Sequence, residues 1–229
     1  MIINTDAIVL KTFSYGETSL ISRCFTKDKG KISFIIKGAK SKKNHIASYF
    51  QPLNYVNIIF KENEKRELQI VSKVSFVQIW TQIPLSLKKM SLAQSILEMS
   101  DFTLEKNDPH QNLFKILIKT FQRFESGSFD ENILFWSYEC KILSEMGFMI
   151  NFDDDNHNIG FIDLKKDDKS FSIIQKLVSD SLFEINLDSI SIENKKVISK
   201  FLYQRLCFYF EGFEKLKSFR VIKDIFHNA

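Results

Sequence analysis

With 229 residues, 44% of them hydrophobic, the chain is long enough to bury one large core or two modest ones. No stretch approaches the roughly 18 uninterrupted apolar residues of a membrane span, and Met1-Ile2-Ile3-Asn4-Thr5-Asp6 lacks a charged segment followed by an apolar one; a cytoplasmic protein with no membrane partner is expected. The formal charge of +4 decides little, but residues 1–80 hold 13 Lys/Arg against 6 Asp/Glu, a balance of +7, leaving 19 against 22, a balance of −3, for the rest.

The first third has the two-residue period of strands. Strand one is predicted from about Asp6 to Tyr15 and strand two from Thr18 to Lys27, joined to the next through the turn signal Asp28-Lys29-Gly30. In strand three, Lys31 to Lys37, the residues Ile32, Phe34 and Ile36 face one way and Lys31, Ser33 and Lys37 the other, one face core and the other cationic. A lysine-rich loop, Lys40-Ser41-Lys42-Lys43-Asn44, leads to a short helix over His45 to Phe50. Val56, Ile58 and Phe60 alternate in strand four. In strand five, Leu68, Ile70, Val74 and Phe76 are expected to share one face. Three strands, a short helix and two strands is the order of an OB-fold barrel, whose exposed face and loops commonly bind oligonucleotides.

From about Pro84 the period becomes helical. The predicted division is therefore a barrel over 1–80 and a helical domain over 81–229, an α+β chain. Leu85, Leu92, Ile96 and Met99 suit a first helix. Leu113, Ile116, Leu117, Phe121 and Phe124 suit a second, opened by Asp108 and Pro109. The third, Asp130 to Gly147, is apolar nearly all round and so expected at the domain centre. Residues 151–172 are polar and acidic and read as an irregular insertion. Ile173 to Phe183, Ile192 to Phe213 and Leu216 to Phe226 are the remaining helices.

The strongest chemical signal is the basic set Arg23, Lys27, Lys29, Lys31, Lys37, Lys40, Lys42 and Lys43. Several lysines on one surface gain free energy by releasing the counterions condensed on a polynucleotide, whatever its base sequence. Lysine is a point charge, and only Arg23 offers the planar fork used on base edges. The competing explanation is a solvated face that keeps the barrel soluble. Phe13, Tyr15, Tyr49 and Tyr55 could stack on the bases of single strands, but core packing is the first expectation for each. Asp153-Asp154-Asp155 with His157 invites a metal, but an EF-hand loop counted from Asp153 needs glycine where Asn158 stands, so a solvated acidic loop and no metal is the expectation. Cys24, Cys140 and Cys207 lack metal or redox spacings and read as buried thiols. The GxxxxGK[ST], GxSxG, HExxH and GxGxxG signatures are missing, and no catalytic residues or cofactor are predicted.

Ala7-Ile8-Val9-Leu10, Tyr15-Gly16-Glu17, Phe25-Thr26 with Gly30, Lys37-Gly38-Ala39-Lys40 and Gln51-Pro52-Leu53 together resemble the N-terminal domain of the RecO family. Tyr138-Glu139-Cys140-Lys141-Ile142-Leu143 with Gly147-Phe148 resembles that family's central helix, and Leu216-Lys217-Ser218 its closing segment. The resemblance implies a non-enzymatic, nucleoid-associated DNA repair and recombination mediator. Such a protein binds single- and double-stranded DNA, anneals complementary strands and, with RecR, helps load RecA onto strands coated by single-strand-binding protein. It also implies a site on the helical domain for the acidic tail of single-strand-binding protein; a tail ending in apolar residues and a carboxylate needs a hydrophobic slot rimmed by cations. Lys200, Arg205, Lys215 and Lys217, near Phe201, Leu202, Phe208 and Phe213, supply both kinds of residue, though each of these apolar residues is as readily core. Many family members carry four zinc-binding cysteines after the Gly147-Phe148 position, and here that region has none. Its insertion is expected to rely on packing of Phe152, Phe161, Ile162 and Phe171, or to be mobile. An OB-fold protein of RNA binding or translation is the alternative, because a fold does not set its function.

Overall fold

In a computed structural model, described over residues 1–41, 45–152, 167–182, 185 and 190–227 (223–227 by backbone), the alternating first third forms five strands: β1 (Ile2–Tyr15), β2 (Ser19–Thr26), β3 (Gly30–Ile36), β4 (Tyr55–Lys61) and β5 (Leu68–Gln78). They close in the order β1-β2-β3-β5-β4, with β3 and β5 parallel and β4 returning to β1. Closure depends on the length of β1, which pairs with β4 through Ile2 to Ile8 and with β2 through Ala7 to Tyr15. Between the Val9 and Lys11 pairs the register slips, and this bulge at Leu10 bends the strand from one neighbour to the other. The 3-10 helix His45–Phe50 seats Phe50 in the barrel, whose interior also holds Ile3, Ala7, Val9, Cys24, Ile32, Phe34, Ile36, Val56, Ile58 and Phe60. This is the predicted five-stranded barrel followed by helices.

Strand five departs from the expected parity. Ile59 pairs with Lys73 and Phe60 with Val71, leaving Ser72 as an extra residue. Val74 and Phe76 stand opposite Ile58 and Val56, but before the bulge Gln69 and Val71 take the inward positions, not Leu68 and Ile70. One inserted residue exchanges the faces of a strand. Gln69 tolerates its buried position because its amide is fully used: it donates to the Asn63 and Arg66 carbonyls, each at 2.9 Å, and accepts from the Asn63 N–H at 3.0 Å.

The helices are α1 (Leu87–Thr103), α2 (Gln111–Ser126), α3 (Glu131–Glu145), α4 (Asp168–Val178), α5 (Ile192–Tyr209) and α6 (Lys217–His227). Leu85 lies before α1, in a one-turn 3-10 segment, and is 79% exposed; the helix opens on Ser86, whose hydroxyl accepts from the Lys89 N–H. α4 starts five residues earlier than the apolar pattern indicates, within the expected insertion, because Asp167 caps it by accepting from the Ser170 N–H and hydroxyl. The Asn194 amide of α5 donates to the same carboxylate, and these bonds hold it below the usual carboxylate range. α5 stops at Tyr209, short of Phe213, and Gly212 follows at φ +86° before a further 3-10 turn. Phe152 and Phe171 meet edge to face with centroids 5.2 Å apart, as the packing of the insertion requires, whereas Phe161 and Ile162 lie outside the described residues.

The chain divides into two compact units, residues 1–118 with 218–229 and residues 119–217. In the first, the barrel carries α1, the start of α2 and α6: Phe114 packs edge to face on Phe25 at 5.4 Å, and the Ser218 N–H and hydroxyl donate to Glu98. In the second, α3 packs on α4 and α5 as the central helix. Asp130 caps α3 by accepting from the Asn132 and Ile133 N–H groups. Cys24 and Cys140 are buried and Cys207 half-buried; burial raises the Cys24 thiol to about 12 and the Cys140 thiol further, so neither is a nucleophile at neutral pH.

Glu139 of α3 is a buried acid with no counter-charge paired to it among the described residues. It is 2% accessible, its Oε2 has no hydrogen-bond partner among the described residues, and burial lifts its carboxyl well above the usual glutamate range. With the folded value above the unfolded one, its favourable contribution is fully present below the ordinary glutamate value and is lost as pH rises through the raised value. Glu139→Gln is expected to remove that slope and to stabilise the chain by about 1–3 kcal/mol at mildly alkaline pH. Urea midpoints taken at acid and alkaline pH read this; equal pH slopes for the two proteins would contradict it.

Candidate nucleic-acid interface

The register of the β2–β3 hairpin decides where the basic residues go. Thr26 pairs with Gly30 at one end and Leu20 with Ile36 at the other, a separation of six residues, or about 20 Å along the strands. Lys27 and Lys29 sit at the first end. Lys37 and Lys40 sit at the second, where the Lys40 N–H donates to the Thr18 carbonyl and its Nζ donates to the Gly16 carbonyl at 2.8 Å. The set that is continuous in sequence is thus two groups in space. Lys42 and Lys43 lie outside the described residues.

Between those ends, α1 reaches two of the outward residues, Arg23 and Lys31. Asp101 of α1 stands 3.0 Å from the Arg23 guanidinium and 4.0 Å from Lys31 Nζ, and Lys31 also donates to the Asp101 carbonyl at 2.5 Å. Lys31 is 9% exposed, against the expectation of a cationic solvent face on β3: the period correctly turned it out of the barrel, but a helix lies over that position. Burial lowers the Lys31 amine and raises the Asp101 carboxyl, the latter in spite of Arg23, Lys31 and Lys11 pulling it down. Lys29 is paired with Glu62 at 2.8 Å. Lys27, Lys37 and Lys40 are the exposed members of the set among the described residues.

The four aromatic candidates also separate. Tyr55 is half-buried, with its hydroxyl 3.4 Å from Asp6 and its ring against Phe114; burial, with Asp6 nearby, raises the phenol to about 12. Tyr49 lies on Phe76 with centroids 4.5 Å apart. Phe13 and Tyr15 are 41% and 51% exposed, at the end of the barrel that carries Lys37 and Lys40. Lys11, absent from the sequence-based set, shares their outward face and stands opposite Arg23 in the ladder. Its alternation with Thr12 and Ser14 was the available signal. Asp101 had none, being separated from Arg23 by most of the first unit's sequence. The loop between β4 and β5 mixes Glu62, Glu64 and Glu67 with Lys65 and Arg66 and adds no net cationic face.

In the second unit, Lys200, Lys215 and Lys217 are exposed but Arg205 is 2% exposed, with its guanidinium 4.7 Å from the Phe201 ring, so it does not rim a surface slot. Phe201, Leu202 and Phe213 are buried; Phe208 is 61% exposed. Among the described residues no group of three His, Cys, Asp or Glu is placed to hold a metal, and the 153–157 acidic run lies outside them. No described helix is long and apolar enough to cross a membrane.

Two family models match in chain order: recombination protein O N terminal over residues 1–80 and recombination protein O C terminal over residues 84–175. Among curated relatives called DNA repair protein RecO, that of Salinibacter ruber is 33% identical over 122 residues, 53% of this chain and 47% of the relative. That of Chloroherpeton thalassium is 29% identical over 152 residues, 66% of this chain and 59% of the relative, and that of a Thermoanaerobacter species 28% identical over 152 residues, 66% and 60%. The matched stretches therefore span about half to three fifths of those relatives. With both halves matched in order, and a closed barrel under the first, the chain belongs to the recombination protein O family.

Proposed function

We propose that this protein is a DNA repair and recombination mediator without catalytic activity, binding DNA through the barrel and partner proteins through the helical part. The observation that carries the DNA-binding reading is the exposed cationic end of the barrel, Lys37 and Lys40 beside the lysine-rich loop, in a region with a balance of +7. Lysines there neutralise phosphates without reading bases, which suits both single and double strands. Screening two strands at once also lowers the repulsion that opposes annealing. RecR, RecA reached through it, and the tail of single-strand-binding protein are the partners the family membership favours. For the tail, the exposed Lys200, Lys215, Lys217 and Phe208 support a site on the second unit, without Arg205.

Replacing Lys37, Lys40, Lys42 and Lys43 with alanine is expected to weaken single-strand binding and to lower its salt slope by roughly 0.7 for each phosphate that is no longer neutralised. The melting curve should hold at Lys37 and Lys40, which are exposed, since such substitutions cost at most about half a kcal/mol each. Lys61→Ala with Lys73→Ala, on β4 and β5, is the charge control. An equal loss per charge in that control defeats the site assignment, and tighter binding to RNA than to DNA of equal length favours the RNA-binding alternative.

A further inference from the structure

We propose that Phe13 and Tyr15 form a stacking platform for unpaired bases, so that this end of the barrel prefers single strands to duplex. The inference rests on the nucleic-acid reading above and names the form of nucleic acid that the site selects. It begins with the bulge at Leu10. Beyond it Thr12 turns inward, its hydroxyl donating to the Phe50 carbonyl at 2.7 Å and bonded to Ser22 at 2.9 Å, so Lys11, Phe13 and Tyr15 must turn outward. The other phenylalanines of the first three strands, Phe25 and Phe34, are wholly buried, as are Phe50 and Phe60; Phe13 and Tyr15 are 41% and 51% exposed. Two aromatic rings two residues apart on one strand lie about 7 Å apart on the same face.

The surroundings suit a polynucleotide more than an apolar partner. On one side of the rings, Lys11 stands opposite Arg23, whose guanidinium carbon is 6.0 Å from the Phe13 centroid and is held in place by Asp101. On the other, Lys40 reaches the Gly16 carbonyl next to Tyr15, and Lys37 follows Ile36, the partner of Leu20. Of the acids in this neighbourhood among the described residues, Asp101 is engaged by Arg23 and Lys31, Glu98 of α1 accepts from the Ser218 N–H and hydroxyl, and Glu17 stands on the β1–β2 turn. Two aromatic faces bracketed by cations provide stacking for bases and charge for the phosphates between them. A duplex can use the cations only, because its bases are already stacked on each other and cost several kcal/mol to expose.

The test uses the full chain, a short oligothymidylate and a duplex of the same length, with affinities from fluorescence anisotropy at fixed salt. The double variant Phe13→Leu, Tyr15→Leu is expected to bind the single strand at least about fivefold more weakly per ring removed, with duplex affinity within about twofold and the salt slope unchanged. Phe13→Trp with Tyr15→Trp keeps the faces and should keep single-strand affinity, which separates stacking from misfolding. Unchanged single-strand binding by the leucine variant, or an equal loss on both probes, overturns the platform while leaving the cationic reading standing. If the unaltered chain binds neither probe, the nucleic-acid reading itself falls.

Discussion

Gly30→Ala is expected to be the most damaging single substitution in the barrel, costing about 3 kcal/mol or more. Two effects combine. Gly30 closes the β2–β3 hairpin at φ +69°, where an L side chain costs roughly 1–2 kcal/mol. A Cβ there would also collide with the backbone carbonyl of Asp108, in the connection between α1 and α2, and backbone cannot swing aside as a flexible side chain can. That connection is tied to the hairpin at the next residue, since the Asn107 N–H donates to the Lys31 carbonyl at 3.1 Å. Gly16→Ala is the matched comparison: φ is +58°, but nothing lies within 4 Å of its Cβ position, so only the conformational cost of roughly 1–2 kcal/mol applies. The difference between the two urea midpoints measures the packing of the Asp108 connection on the barrel. Equal losses would mean that this packing contributes nothing.

Removing Asp101 is expected to cost about 2–4 kcal/mol, because Asp101→Ala leaves the Lys31 ammonium buried without its counter-charge. The Lys31 side chain is 10% exposed and cannot relax into water, whereas that of Arg23 is 31% exposed and can. The directions of the two shifts, amine down and carboxyl up, each led by burial, say that removal from water outweighs mutual attraction. It follows that Asp101→Leu combined with Lys31→Met should recover most of the loss, an apolar pair being at least as favourable there as an ionic one. A double variant as unstable as the sum of the two single ones would show the pair to be independent and refute the coupling.

Much of this protein is legible in its sequence, for reasons of local chemistry. A two-residue period cannot be satisfied by a helix, so Ile32, Phe34 and Ile36 marked β3, and Asp28-Lys29-Gly30 marked its turn through the need for positive φ. Asp130 before an apolar run marked the start of α3. The order of the strands was enough for the barrel. The candidate interface was only half legible. Phe13, Tyr15, Lys37 and Lys40 were all among the sequence-based candidates, but their meeting at one end of the barrel depends on register and on the loop after β3 folding back to Gly16.

What the tertiary structure alone decided is which outward positions remain in solvent. Alternation turns Arg23 and Lys31 out of the barrel as surely as it does Lys37, yet α1 brings Asp101 over the first two and leaves the third exposed. Likewise the bulge at Ser72 exchanges the faces of β5 and puts Gln69 inside, where Asn63 and Arg66 satisfy it. Arg205, one of four cations placed on α5 and after, is buried against Phe201. The period of a segment sets the direction of its side chains relative to the backbone. Whether that direction ends in water depends on the elements packed there from elsewhere in the chain, and that packing leaves no periodic trace in the segment itself.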